Sequence, residues 1–257
     1  NVTVNDTAGN TNYTETRTIT LDTVNPLINY TTPTLANNSY VFINSVIVNI
    51  SISDLYLDTF KFNWNGTNYT FYNDSLVLMM NFDNVSVLGE NNTKVVDVSK
   101  YGNNGTVVGG NYTTLNGKYG SAMQFDGNGD YVQIGNAGDG LYNFPVVTVS
   151  AWIKRTGSLT NFNGIVQSEF ASNNYGWGLF GNTGDLVHFD AATSGGWAAS
   201  PKQTLVLNEW HHIVGIHNAS NYNILYFDGQ LVGATASTAI SYDGTRNIPP
   251  YIGRYGD

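Results

Sequence analysis

The chain has 257 residues, 41% of them hydrophobic, enough to bury one large core or two smaller ones. Charged residues make up only 11% and the formal net charge is -9, so solubility rests on Asn, Thr, Ser and Gly, and nucleic acid is not an expected partner. There is no cysteine, which excludes disulfides and thiolate metal sites, and no apolar run reaches the roughly 20 residues that span a bilayer.

Short runs of Val, Ile, Thr, Tyr and Phe alternate with clusters of Gly, Asn and Asp along the whole chain. No helical period persists, so an all-β protein is expected. Residues 1–24 read as two strands, "NVTV" and "ETRTITL", around the turn "NDTAGNTN". That wording resembles the last hairpin of immunoglobulin-like domains in large microbial surface proteins. Residues 25–75 resemble a short immunoglobulin-like segment, with Pro26 and Pro33 near its entry and "VFINSVIVNISISD" as its longest strand run. Inside it, "FKFNW-NG-TNYTF" reads as a hairpin, because Asn65-Gly66 tolerates the positive φ angles of a type I′ turn. Strand alternation puts Phe60, Phe62 and Trp64 on one face and Lys61 and Asn63 on the other, with Asn65 at the tip and Asn68 opposite Tyr69 and Phe71. Two further hairpins are expected at Asp126-Gly127 and Asp228-Gly229.

From residue 76 onward the segments "LVLMMNFDN", "VVDVSKYGNNGTVVGG", "KYGSAMQFDGNGDYVQI", "VTVSAWIKR", "NEWHHIVGIHN", "ILYFDGQLVG" and "YIGR" occur in the order seen in laminin-G-like, concanavalin-A-like jelly-roll domains, which this region resembles. The resemblance implies a two-sheet antiparallel jelly-roll sandwich over 76–257. Most members use it for adhesion or sugar recognition and some for glycan hydrolysis, and fold alone does not choose among these. The family's closing strand would follow "YIGR", beyond Asp257. The open edge is therefore expected to be filled by a flanking domain or, through β-strand addition, by the N-terminal hairpin of a neighbouring copy. The chain opens at Asn1 with no charged and apolar leader, so it is expected to be a processed product or part of a longer polypeptide.

Asn-X-Ser/Thr triplets begin at Asn1, Asn5, Asn12, Asn29, Asn37, Asn49, Asn65, Asn68, Asn73, Asn84, Asn91, Asn104, Asn111 and Asn218. A composition rich in Asn and Thr generates some triplets by chance. As acceptors they imply N-linked glycans and an extracellular or cell-surface location, with the sugar concentrated on the N-terminal part.

The histidines of "NEWHHIVGIH" do not form a metal site on this reading. In a strand His211 and His212 point to opposite faces, and His217 lies about 20 Å from His211 at ~3.3 Å per residue. Trp210, His212, Val214 and Ile216 then share one strand face. Glycan cleavage in this fold needs two carboxylates about 5 Å apart. Relatives that cleave carry a Glu-X-Asp-X-X-Glu strand, whereas the glutamates here are Glu15, Glu90, Glu169 and Glu209, so no enzymatic activity is expected. "DGNGDY" spaces Asp126, Asn128 and Asp130 like the start of an EF-hand loop, but Tyr131 stands where that loop needs Gly and Ala137 where it needs Glu. The jelly-roll resemblance implies a structural calcium instead, with Asp83, Asp97 and Asn103 in the matching acidic turns. For sugar stacking, Trp177 and Trp197 lie beside Gly-rich stretches, with core packing as the alternative for both, and Trp152 is expected in the core.

These readings converge on an extracellular, glycosylated structural or adhesive surface protein of microbial, archaeal type. It would be a filament subunit or repeat that assembles by strand complementation with copies of itself or with flanking domains. A carbohydrate-binding, lectin-type module of a larger surface protein is the alternative.

Overall fold

The computed structural model describes residues 3–13, 22–32, 34–42, 46, 48–54, 59–72, 74–113, 116–135, 143–159, 163–168, 175–242 and 249–254. The chain divides into two units, Asn1–Leu76 and Val77–Asp257.

In the first unit β1 (Thr3–Asn5) pairs with β2 (Thr11–Tyr13), β3 (Leu27–Thr31) with β4 (Asn49–Ser53), and β5 (Phe60–Trp64) with β6 (Thr67–Tyr72), all antiparallel. The first turn is held by Asp6, whose carboxylate accepts bonds from the Ala8 and Asn10 amides, each at 2.9 Å, and from Asn10 Nδ2 at 2.8 Å. The strand after it starts at Thr11, earlier than expected, and "ETRTITL" lies outside the described residues. The Asn65-Gly66 turn has the positive φ pair expected of it, 48° and 82°. Across it Asn63 Nδ2 donates to Asn68 Oδ1 at 2.8 Å. The strands described in this unit pair only two by two, and none of its described side chains is buried.

The second unit starts with a 3-10 turn (Ser86–Leu88) and continues in β7 (Lys94–Val95), β8 (Gly105–Val108), β9 (Asn111–Thr113), β10 (Ala122–Gln124), β11 (Tyr131–Ile134), β12 (Val147–Ile153), β13 (Asn163–Ser168) and β14 (Trp177–Asn182). It ends with β15 (Leu186–Thr193), β16 (Gly196–Ala199), β17 (Gln203–Thr204), β18 (His211–His217), β19 (Tyr222–Phe227), β20 (Gln230–Ala236) and β21 (Tyr251–Ile252). Two sheets result. The larger runs β16-β15-β14-β13-β21-β11-β8-β7 with β17 beside β15, and the smaller runs β12-β18-β19-β20. This is the expected all-β jelly-roll type of sandwich.

The Asp228-Gly229 hairpin forms as read, with φ of 48° and 77° between β19 and β20. The Asp126-Gly127 hairpin does not. β10 pairs with β9, whereas β11 pairs with β8 and β21. Asp126 instead accepts from the Asn128 amide at 2.7 Å and gives its own amide to Asp130 Oδ2 at 2.9 Å, so the segment is a local polar crossing between two sheets.

Strand alternation decides the core. Val187, Phe189 and Ala191 of β15, with Leu179 and Val166, face Val147 of β12, Ile213 of β18 and Leu225 of β19. Each large side chain buried here is worth about 1.5–3 kcal/mol. A β-carbon at Gly215 would lie 2.5 to 2.7 Å from Phe189, so only glycine leaves room for that ring. A second small core, Val95, Val107 and Val132, is covered by Tyr112 and Met123 of the β9–β10 pair.

His188 and Asp190 alternate with the core residues of β15 yet are also buried, with His188 Nδ1 3.6 Å from Asp190 Oδ1. That distance admits an ion pair, but burial pushes the carboxyl up to about 7 and the imidazole down to about 4, which makes both neutral at intermediate pH. The raised carboxyl stabilises the fold fully below its ordinary value of 3.8 and loses that contribution as pH rises through about 7. The depressed imidazole stabilises above its ordinary 6.5 and loses its contribution as pH falls through about 4, so the two slopes oppose each other. Asp190→Asn removes only the first. Its stability relative to the parent protein, measured by urea denaturation, is expected to climb between about pH 4 and pH 7, and a difference independent of pH would exclude a neutral carboxyl.

Candidate functional site

On β12 the residues Val147, Val149, Ala151 and Ile153 point inward, so Thr148, Ser150 and Trp152 stand on the outer face of the smaller sheet. The β12–β18 register sets Trp152 opposite His212 and Ser150 opposite Val214. Trp152 is 40% exposed, where the sequence reading expected a core residue. Its ring lies 5.2 Å from that of His212, tilted by 36°, and 5.9 Å from Tyr119 in an edge arrangement. His212 Nε2 and Ser150 Oγ are 2.8 Å apart, which fixes the imidazole beside the indole. Lys118 Nζ stands 4.5 Å from the Trp152 ring centroid.

Two residues further along the same strand period, Lys154 Nζ lies 5.2 Å from the ring centroid of Trp210, which precedes His212 by two positions. Arg155 points the other way. Its Nη2 pairs with Asp185 Oδ2 at 3.0 Å, its Nη1 donates to Gly157 O at 3.0 Å, and its Nε donates to Leu205 O. That clasp ties the end of β12 to the β14–β15 turn and leaves Lys154 on the outer side.

The turn carrying Lys118 and Tyr119 is positioned by Asp83. The Ser121 amide donates to Asp83 Oδ1 at 3.1 Å, and Gly117 N donates to Gly120 O at 3.0 Å. Gly120, at φ 66°, brings its backbone so close that a β-carbon there would sit 2.4 Å from Asp83 Oδ1. Tyr119 and the two Trp–Lys pairs thus form an aromatic surface with a polar edge. Such a surface stacks a flat, weakly positive face of C–H groups and hydrogen-bonds hydroxyls at its rim.

Of the residues expected to hold calcium, Asp97 and Asn103 meet, the Asn103 amide donating to Asp97 Oδ2. Asp97 is buried, and Oδ1 accepts the Met79 and Ser99 amides at 2.8 and 2.9 Å, while Oδ2 accepts Ser99 Oγ at 2.8 Å and the Asn103 amide at 2.7 Å. Four donors fill the four lone-pair positions of the carboxylate. Asn103 spends its Nδ2 on Val77 O at 2.9 Å. Asp83 Oδ1 accepts the Ser121 amide, so the oxygens of Asp97 and one oxygen of Asp83 are already bonded within the protein. No three His, Asp or Glu side chains among the described residues form a metal-type group. A cleft of about 230 Å³ lined by Gly109, Asn111, Gln124, Asp126 and Asp130 carries two carboxylates.

Trp177, expected as an exposed stacking ring, is 5% exposed and belongs to the core. The glycines around it are packing devices: a β-carbon at Gly178 would lie 2.1 Å from the Phe180 ring. Trp197 is half-buried on the edge strand β16, opposite Ala192, and lies on the larger sheet rather than beside Trp152. His211 and His212 point to opposite faces as expected; His211 is the inward one, its Nδ1 2.8 Å from Asp228 Oδ2, and His217 is fully buried with Nδ1 2.7 Å from Asn223 Oδ1. Asn1 and Asn73 lie outside the described residues. Every other triplet asparagine is exposed except Asn218, which is half-buried and accepts from Ser220 N and Tyr222 N, each at 3.0 Å. The sequence reading places Trp152 in the core, although its alternation with Val149, Ala151 and Ile153 already points it outward.

A laminin-G-type family model, described as the concanavalin A-like lectin/glucanases superfamily, matches residues 126–257. No curated protein matches the chain. Among solved structures, the binding domain of Paraclostridial Mosquitocidal Protein 1 is similar with a TM-score of 0.54 at 17% identity, over 72% of this chain and 45% of that one. The binding domain of botulinum neurotoxin DC in complex with SialylT is similar with a TM-score of 0.50 at 15% identity, over 70% of this chain and 43% of that one. Domain 4 of AbnA, a GH43 extracellular arabinanase from Geobacillus stearothermophilus, in complex with arabinotriose, gives 0.50 at 18% identity, over 63% of this chain and 79% of that one. The chain spans less than half the length of the two toxin domains, and at these identities the likeness is one of fold.

The occupied Asp97 generates a direct test. Asp97→Asn turns one acceptor oxygen into a donor facing buried amides and is expected to cost about 3 kcal/mol in urea denaturation. The melting temperature of the parent protein is expected to be the same with and without EDTA; a fall with EDTA would mean that an ion displaces these donors.

Proposed function

The chain belongs to the concanavalin A-like lectin/glucanases superfamily, and from that premise we propose that residues 77–257 are a carbohydrate-binding, lectin-type module whose ligand stacks on Trp152. The observation that carries this reading is the exposed Trp152 ring, framed by Tyr119 and His212 and held in place by the Ser150–His212 contact. Sugar rings present C–H groups to an aromatic face and hydroxyls to its edge, and this surface supplies both partners. The fold shared with a domain solved in complex with arabinotriose and one solved in complex with SialylT supports the choice of ligand class.

An extracellular place for the module is supported by the exposed triplet asparagines, which stand ready for N-linked glycans. Assembly into a surface array is a second reading. The exposed Tyr30, Tyr40 and Phe42 of the first unit favour it, since apolar side chains of that size are commonly covered by a partner. No helix among the described residues is long and apolar enough to cross a membrane.

Trp152→Ala is expected to weaken glycan binding by about 10- to 30-fold, the loss typical of a central aromatic contact, with the urea midpoint nearly unchanged. Trp177→Ala is expected to do the reverse, costing about 3–5 kcal/mol of stability as a core cavity. Calorimetric titration beside denaturation separates the two. Glycan binding that survives Trp152→Ala at full strength would move the site elsewhere.

A further inference from the structure

The aromatic platform carries two cations. Lys118 and Lys154 each rest on a tryptophan ring, and neither pairs with a carboxylate among the described residues. In a chain with 19 acidic and 10 basic residues, two lysines with no carboxylate partner among the described residues are unexpected, because acids to neutralise them are plentiful. Among the described residues, the acids close to the platform are already committed or form no pair with it. Asp228 takes His211 Nδ1 and the His212 amide, Asp83 takes the Ser121 amide, and Glu209, beside Trp210 in the chain, makes no ion pair with Lys154.

We propose that the sugar bound on this platform is anionic, its carboxylate or sulfate groups engaging Lys118 and Lys154 while its rings lie on Trp152 and Trp210. This inference rests on the carbohydrate-binding reading and narrows it. A neutral sugar stacking on Trp152 must displace the ammonium that occupies the ring face, and it gives that ammonium nothing in return. An anionic sugar draws the same ammonium to its acidic group, and the ring face is freed by a contact that itself contributes to binding. Trp152 and Lys154 are two strand residues apart, about 7 Å at ~3.3 Å per residue. Successive saccharide units can therefore each meet one Trp–Lys pair. His212, with Nε2 held at Ser150 Oγ, leaves Nδ1 for a hydroxyl between them. The net charge of -9 repels a polyanion at long range. With screening over about 8 Å at physiological salt, the local pairs govern the bound state.

The test is an array of neutral, uronate-containing and sulfated oligosaccharides, probed with the 257-residue chain and followed by calorimetry on the members that bind. Oligogalacturonate and its methyl ester serve as a charged and uncharged pair of one shape. The expected result is binding confined to anionic members, at least 10-fold weaker to the methyl ester. Lys118→Gln and Lys154→Gln are each expected to weaken it about 10-fold, and affinity should fall as NaCl rises. The uronate and sulfate arms tell which acidic group is read. Binding to neutral members that Trp152→Ala abolishes and both lysine variants leave unchanged would overturn the anionic ligand while preserving the carbohydrate reading. An array with no bound member would overturn both. Unchanged melting temperatures of the two lysine variants separate lost contacts from lost folding.

Discussion

The contact between Phe189 and Gly215 fixes the facing of both sheets. Phe189 fills the space that any side chain at Gly215 would take, and it does so from the middle of β15 onto the middle of β18. A slip of one residue in β18 would turn its buried side chains to the outer face. With that register set, Ile213 and His217 must point inward and His212 outward, and the neighbouring β12 must show Trp152 on the same outer side. The binding surface is thus the obverse of the core. Its aromatic residues are where they are because the inner positions are already filled.

Few charges are available to such a chain, and those it has are spent locally. Asp97 gathers four donors around the bend after β7, Asp83 pins the turn that presents Lys118 and Tyr119, and Asp185 receives Arg155 and the Leu159 amide. Buried backbone amides need partners, and a carboxylate that accepts several of them contributes more than a surface ion pair. The acidic turns that the family resemblance links to calcium hold backbone amides in this protein. Lys118 and Lys154 are held against the rings of Trp152 and Trp210, as Arg254 is against those of Tyr131 and Tyr251.

Much of the architecture was legible in the residues. Asn65-Gly66 and Asp228-Gly229 turn where the dipeptides say they do, because positive φ at both positions leaves the chain few alternatives. Asp126-Gly127 failed as a hairpin for a tertiary reason: β10 and β11 find other partners, and the Asp126 side chain makes a local turn in their place. The tryptophans exchanged roles. Glycines beside Trp177 suggested a loop, yet they make room in a strand buried on both faces, where alternation carries no signal. Trp152, by contrast, sits in a strand buried on one face, and the sequence Val-Thr-Val-Ser-Ala-Trp-Ile states its facing plainly. The pairing of Lys118 with Trp152 joins residues from distant segments and has no local signature.

The central claim is that the ligand meets the outer face of the smaller sheet. The five tryptophans, Trp64, Trp152, Trp177, Trp197 and Trp210, give five indole N–H reporters distributed over both units and both sheets. In a glycan titration followed by nitrogen–proton NMR, the signals of Trp152 and Trp210 are expected to move together with one affinity while those of Trp177 and Trp64 stay fixed. Saturable shifts at Trp197 or Trp64 with Trp152 and Trp210 unmoved would contradict the account.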